Sequence, residues 1–514
     1  MPRRALALPL TLCALLAALT LARLPAAWQS GNALNHVGGA WMALADDLAH
    51  GTFYRPLQDP RLGYGGTRNF PLVFALHAGL LRAGVPLLPA GYAVAAAAGL
   101  LAVLGVALLL RRAGLGRAEA ALLAAAALAG GAAQRALTAN RGDLWPVALT
   151  ALGLAALLGA GRWRLPLAAL LLSLAFAAKM TALTGLAAGV AFLALRRERV
   201  AAVRLLGLGG GLGLLWLALA ELLSGGRFLT TLAACASGGA DLRSLLGGPA
   251  RVLFHLRFAD RAGLALLAAA VTALLAARPR EPGGWRAPES AVLLLGACWL
   301  ALAVGAAAVV FGSPGTATNH FVELEVASAA VLGAALARAV GAGPARQRVA
   351  VAAAALAAVT GLASAGLDLR QDRRESRLAQ VRAAIALLPP GARVLSEDPL
   401  VPLLAGQRPL ALDSWMLRLL DERDPAFAAP LVAALQAGQV PAVVLFEPIE
   451  HPDLAGPNPR HLGTPVVQAI AGSFRPAGQA GRYHLYTFAG RPAPLVQPVG
   501  PTPRPAPAGG ATGL

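Results

Sequence analysis

Apolar runs of about twenty residues, separated by short clusters of arginine, recur along most of this chain. Runs of that length predict membrane-crossing helices, because about 20 residues at a 1.5 Å rise span the roughly 30 Å hydrocarbon core of a bilayer. The first covers about 6–28, within MPRRALALPLTLCALLAALTLARLPAAW. It lacks a convincing cleavage site before the next polar stretch, so it reads as an uncleaved helix and not as a signal peptide. A polar stretch at 29–69 follows. The next apolar segment, FPLVFALHAGLLR at 70–82, is too short to cross and is expected along the membrane surface. Further spans are predicted at about 91–110, on both sides of TANRGD (138–143), at 203–224, before Arg278, and near 290–311, 324–340 and 348–366.

Short cytoplasmic loops accumulate positive charge. Arg3 and Arg4, then Arg111, Arg112 and Arg117, then Arg162 and Arg164, then Arg278 and Arg280 fall at alternate ends of the spans. They put the N-terminus in the cytoplasm and the connections 29–90, 138–144, 225–261 and 312–323 outside. Residues 165–195 depart from this pattern: about 31 mostly apolar residues have both ends on the cytoplasmic side. One helix cannot do that, and at ~1.5 Å per residue two full crossings do not fit. A pair of short helices, rising and returning with Lys179 near the outward apex, is the expected solution.

Beyond residue 369 the charge density rises. RQDRRESRLAQVRAAIALLPPGARVLSEDP predicts a helix over about 372–388, a turn at Pro389–Gly391 and a short strand, RVLS; PLAL (409–412) and AVVLF (442–446) are further strand candidates. Such alternation predicts a small α/β domain with a partly parallel sheet over 370–490. The Pro/Gly-rich tail, 491–514, is expected to be disordered. The fold class is therefore mainly α: a polytopic transmembrane helical bundle (1–369) of about 11 spans, the short hairpin included, with a small extracytoplasmic α/β domain.

Composition supports this. The 514 residues are 57% hydrophobic and only 13% charged, with a mean hydropathy of +0.62, far more apolar surface than a soluble domain of this length uses. A net charge of +19 would suit nucleic acid if it were concentrated. The arginines instead punctuate the apolar runs, so topology explains them and no nucleic-acid partner is expected. Cys13, Cys235 and Cys298 are too scattered for a disulfide framework or metal motif. GLGGGLG (207–213) lies within an apolar run and reads as close helix packing, not phosphate binding.

Against that background Lys179 stands out: it is the only lysine among 44 basic residues, and it sits in an apolar run. Intramembrane charges tend to mark sites, although a lysine near an interface can also snorkel to water. Three outer stretches collect other unusual polar residues. NHVGGAWMALADDLAHG (35–51) has a helical apolar period and places His36 and Asp47 about three turns apart on one face. ANRGDLWP supplies Asn140, Arg141 and Asp143. GSPGTATNHFVELEVAS supplies Asn319, His320, Glu323 and Glu325; His320 and Glu323 are i,i+3 neighbours that could act together or bind a divalent metal. In the C-terminal part, SEDP places Glu397 and Asp398 at a strand end, either capping a helix or at a ligand-binding edge.

The first outer stretch, the segment GYGGTRNFPLVFALHAGLLRAG along the surface and a following span ending in RR resemble the GT-C superfamily of integral-membrane glycosyltransferases. The short helical pair with AKMT and an outer C-terminal domain add to the resemblance, which covers about residues 1–370 in layout. It implies a polyprenyl-phosphate-linked sugar donor, as in protein mannosyltransferase and aminoarabinose transferase-like enzymes. It also implies a glycan, lipid or protein acceptor outside a bacterial inner membrane. Members usually carry an acidic residue after helix 1; here that position falls at Asn35–His36 and is not acidic. Either His36 takes the role, or Asp46 or Asp47 supplies the carboxylate, or the chain lacks the standard chemistry.

Transfer from a lipid-linked phosphate sugar needs a base for the acceptor hydroxyl and positive charge on the departing phosphate. Asp143, Asp47 and His36 are the candidate bases. Lys179, Arg68 and Arg141 are the candidate phosphate ligands, and His320 with Glu323 the candidate metal pair. A transporter or lipid flippase, or a non-catalytic membrane scaffold, is the rival reading.

Overall fold

Leucine and alanine, both strong helix formers, fill the apolar runs, and helices occupy them. In the computed structural model, residues 5–236, 242–281, 284–313, 316–339, 343–452 and 461–490 are described. Helix α1 (Ala7–Ser30) stops where Gly31 turns left-handed, at φ 65°. Helix α2 (His36–Ala49) is N-capped by Asn35, whose side chain accepts from the Gly38 N–H at 3.1 Å. A two-stranded ribbon, β1 (Gln58–Asp59) and β2 (Gly63–Tyr64), leads to α3 (Pro71–Arg82), the expected short apolar helix, with proline in its first turn.

The bundle continues through α4 (Leu87–Arg112), α5 (Arg117–Ala124), α6 (Gly131–Ala136) and α7 (Leu144–Leu157). The span expected before TANRGD is broken into α5, a 3-10 turn and α6. Two buried carboxylates account for the break, because they draw off the amides that begin α6. Asp260 accepts from Gly131 and Ala132, and Glu325 from Ala132 and Ala133, at 2.8–3.1 Å.

Helices α8 (Arg164–Ala178) and α9 (Leu183–Leu195) form the expected hairpin. Arg164 and Glu198 meet at 2.7 Å, so the start of α8 and the end of α9 lie together and Lys179 occupies the turn. No glycine or proline stands in the turn sequence AKMTAL. The chain bends instead where Lys179 takes an extended backbone (φ −161°, ψ 128°) and its ammonium turns to a carboxylate on α7's leading edge.

Helices α10 (Arg199–Leu223), α11 (Arg227–Ala236), α12 (Leu242–Ala259), α13 (Arg261–Ala277), α14 (Ala291–Val310), α15 (Val322–Ala339) and α16 (Pro344–Arg374) complete the bundle. The connection 225–261, expected as a loop, is largely helical, and α12 meets α13 at a 118° bend. Among the described residues six helices are long and apolar enough to cross a membrane, or seven with that bent pair. Helix α15 is the bundle's axis and is buried along nearly its whole length. Of GLGGGLG, Gly209 packs against Leu186 and Gly213 against Phe176, while Gly207, Gly210 and Gly211 face open space.

The predicted 372–388 helix is divided. Helix α16 runs on to Arg374, and Ser376 caps a new helix, α17 (Arg377–Ala386). Strands β3 (Val394–Ser396), β4 (Ala442–Leu445), β5 (Phe474–Ala480) and β6 (Tyr483–Phe488) form one sheet in the order β3-β4-β6-β5. Strands β3 and β4 are parallel and the other pairs antiparallel, so the sheet is partly parallel as expected. The β5–β6 hairpin was not predicted, although YHLYTF carries strand-type residues. PLAL is not a strand of this sheet; Ala411 instead bridges Tyr64 of β2, tying the C-terminal domain to the first outer stretch.

Helices α18 (Leu400–Leu404) and α19 (Ser414–Arg423) bracket that bridge. The first turn of α2 lies between the two halves of the molecule, and glycines make the approach possible. A Cβ on Gly38 would stand 2.8 Å from the Ala139 carbonyl, and one on Gly39 2.9 Å from the Leu400 nitrogen. The bundle and the C-terminal domain therefore meet across this turn.

Candidate functional site

Asp143 sits at the start of α7, where the tight turn after Asn140 (φ 47°) delivers it. The Lys179 ammonium at the hairpin apex donates to Asp143 Oδ1 at 2.8 Å, and the Asn319 amide donates to the same oxygen at 3.0 Å. The Arg141 Nε lies 3.7 Å from Asp143 Oδ2, too far for a hydrogen bond. Both of those buried atoms lack a hydrogen-bond partner. Burial pushes the Asp143 carboxyl up. The charges of Lys179 and Arg141, with the hydrogen bonds from Lys179 and Asn319, outweigh it and hold the group well below the usual carboxylate range.

A small cavity of about 30 Å³ is lined by Asp143, Lys179, Thr181, Asn319, His320 and Glu323 on one part of its wall and by apolar side chains, Val147, Ala303 and Val310 among them, on the rest. His320 and Glu323 thus join Lys179 and Asp143, as the outer stretches suggested. Glu323 accepts from the Trp299 indole at 2.9 Å and from the Thr184 hydroxyl. Arg68, exposed in the first outer stretch, lies within electrostatic reach of His320 and of Asp413 at the head of α19. An apolar groove of about 450 Å³ is lined by residues including Leu48, Phe70, Leu174, Ala177, Trp216 and Phe228. Ala177, in the wall of the groove, precedes Lys179, in the wall of the cavity, by two residues. The groove was not legible in the sequence, since its walls come from five separate helices.

His36 occupies the first turn of α2 and faces the C-terminal domain. Its ring lies 5.0 Å from that of His461 and 6.3 Å from that of Phe446, centroid to centroid. Burial, chiefly, pushes the imidazole down to about 4; Asp398 opposes this, and Arg377, Arg141 and Arg482 add to it. Arg377, Phe446, His461 and Tyr483 escaped sequence reasoning because each looks like an ordinary position within its own element.

Asp47 goes elsewhere. It is 1% exposed and ion-paired with Arg55 and, at 2.9 Å, with Arg408 of the C-terminal domain. Breaking a buried pair from one side strands the other charge, so Asp47→Ala is expected to destabilise the protein by about 3–5 kcal/mol. Thermal unfolding in detergent would show this loss with polyprenyl-phosphate binding unchanged. An unaltered melt with lost binding would place Asp47 in the site.

The donor set does not fit a metal. No group of three or more His, Cys, Asp or Glu side chains converges among the described residues. The Asp143 carboxylate already carries an ammonium, and the Glu323 carboxylate already accepts from an indole and a hydroxyl.

The fold of this chain is shared, end to end, with solved structures of low sequence identity. ArnT from Cupriavidus metallidurans bound to undecaprenyl phosphate matches over 94% of this chain and 99% of its own, with a TM-score of 0.60 at 14% identity. The oligosaccharyltransferase of Archaeoglobus fulgidus in its apo form matches over 95% of this chain and 75% of its own, with a TM-score of 0.54 at 16% identity. AglB of the same organism, in complex with an inhibitory peptide and a dolichol-phosphate, gives 0.52 at 15% identity over 94% and 75%. No protein-family model and no curated protein matches the sequence.

Proposed function

We propose that this multi-pass membrane protein is a glycosyltransferase that moves a sugar from a polyprenyl-phosphate donor to an extracytoplasmic acceptor, with the C-terminal domain outside a bacterial inner membrane. The observation that carries the reading is Lys179 in the wall of a small cavity with Asp143, two residues along the chain from Ala177 in the wall of an apolar groove. A polyprenyl phosphate has the matching halves: a long apolar chain for the groove and an anionic head for the lysine. Solved relatives of this fold holding undecaprenyl phosphate and dolichol-phosphate support it.

In this reading Lys179 and Arg141 hold the donor phosphate and Arg68 guards the approach. Arg141 brings an unsatisfied Nε, and lysine acts as a compact point charge. Asp143 holds Lys179 in place until the phosphate replaces it as partner. So strongly ion-paired a carboxylate makes a poor base at neutral pH. Small-molecule pockets usually run to roughly 300–1,000 Å³, so the cavity beside Lys179 must widen as the donor enters.

Trp216 lines the groove, and in a variant whose other seven tryptophans are replaced by phenylalanine its fluorescence reads the filling. Undecaprenyl phosphate added to the protein in nanodiscs should shift its fluorescence at micromolar concentration, and the uncharged polyprenol should bind at least tenfold more weakly. Equal binding of alcohol and phosphate would sink the phosphate assignment, and no shift with either would sink the groove.

A further inference from the structure

Two carboxylates line the cavity beside Lys179, and they are used differently. Asp143 is committed: Lys179 and Asn319 donate to Oδ1, and Arg141 faces Oδ2 at 3.7 Å. Glu323, within electrostatic reach of Lys179, accepts from the Trp299 indole at 2.9 Å and from the Thr184 hydroxyl, both on Oε1. Oε2 has no hydrogen-bond partner among the described residues, and the side chain is partly exposed where it lines the cavity. Glu325, two residues on, is spent on the Ala132 and Ala133 amides. With Oε1 held by two donors, Oε2 is the oxygen that an occupant of the cavity meets.

The wall says what that occupant is. A carboxylate repels anions, so the cavity is not a second phosphate site. A hydrocarbon chain would leave the carboxylate facing apolar matter with no partner, a costly arrangement, and the apolar groove suits such a chain better. The rest of the wall is apolar, with Ala303, Ala306 and Val310 on α14 and Val147 on α7. An uncharged ring with hydroxyls on its rim and C–H groups on its faces matches both kinds of wall.

Resting on the transferase reading, we propose that Glu323 binds the sugar of the donor, accepting a hydroxyl through Oε2 while Lys179 holds the phosphate. The residue then selects what is transferred: it favours a ring rich in hydroxyls and disfavours one that carries a carboxylate. Asn319 and Thr181, in the same wall, complete its polar side. The small side chains of α14 opposite leave the room into which the cavity widens.

The test uses the full chain in nanodiscs, undecaprenyl phosphate labelled in its phosphate, and a pool of polyprenyl phosphates carrying labelled sugar extracted from bacterial membranes, with water and glycerol as hydroxyl acceptors. Wild-type protein should hold the sugar-bearing pool about tenfold more tightly than bare undecaprenyl phosphate, as a hydrogen bond to a charged group provides. In Glu323→Gln the Trp299 and Thr184 donors keep the amide oxygen, so an NH₂ group stands where Oε2 was and the volume is unchanged. That variant should lose the preference and release label about tenfold more slowly, with bare undecaprenyl phosphate bound as in the wild type. A folded Glu323→Gln protein that keeps the preference overturns the assignment. So does one that loses bare and sugar-bearing lipid in equal measure, the mark of a merely structural carboxylate. Should the variant not fold, Ala306→Leu decides: it fills the cavity from the α14 side and should remove the preference in the same way. An unmoved preference there overturns the assignment equally. Wild-type protein that binds undecaprenyl phosphate but releases no label overturns it together with the transferase reading. Failure confined to the variants leaves that reading standing.

Discussion

Lys179→Met is expected to lower sugar transfer by about 10²–10³-fold, the effect of removing one well-placed charged or hydrogen-bonding group from a developing anion. Methionine keeps the unbranched shape of the lysine stem, so the apex can fold while the ammonium is lost. Arg141 would remain, 3.7 Å from Asp143 and tethered to it electrostatically. Lys179→Arg should restore only part of the loss, because a planar fork does not replace a compact ammonium at 2.8 Å from its partner. Label release under single-turnover conditions, read beside Trp216 fluorescence, separates lost chemistry from lost binding. A folded Lys179→Met protein with full activity would remove the lysine from the site.

The second large effect is on stability. Asp143 is nearly buried and faces two cations, so Asp143→Ala should destabilise the protein by about 3–5 kcal/mol, mainly by stranding Lys179 and Arg141. The double variant Asp143→Leu with Lys179→Met should recover the share due to Lys179, since an apolar pair of similar volume replaces a broken ion pair, while Arg141 stays stranded. Thermal unfolding in detergent measures both. A double variant less stable than Asp143→Ala would mean that the pair carries more structure than the charges explain.

Much of this was legible in the chain, for identifiable reasons. The long apolar helices, the short helix α3 and the α8–α9 hairpin follow from run length and arginine placement, which are local signals. Lys179 announced itself by type, and its meeting with Asp143, Asn319, His320 and Glu323 followed from assigning their segments to one side. Asp47 was misleading for the converse reason: its partners, Arg55 and Arg408, come from distant segments, and nothing near residue 47 reveals that they satisfy it. Glu323 read as half of a metal pair with His320. Only the folded chain shows that an indole and a hydroxyl hold one of its oxygens while the other is left to the cavity. The apolar groove was beyond reach, because it exists only as a space between helices.

The hairpin has one more consequence, for the lipid. Helix α8 has 15 residues and α9 has 13, so at ~1.5 Å per residue neither exceeds about 22 Å, against roughly 30 Å of hydrocarbon. With Arg164 and Glu198 anchored at one interface, the apex falls about 8 Å short of the other. Either the bilayer dimples toward the lysine or the donor's head group sinks to reach it. In both cases the exchange of Asp143 for phosphate happens below the ordinary water line, where membrane thickness itself becomes a determinant of how readily the donor is captured.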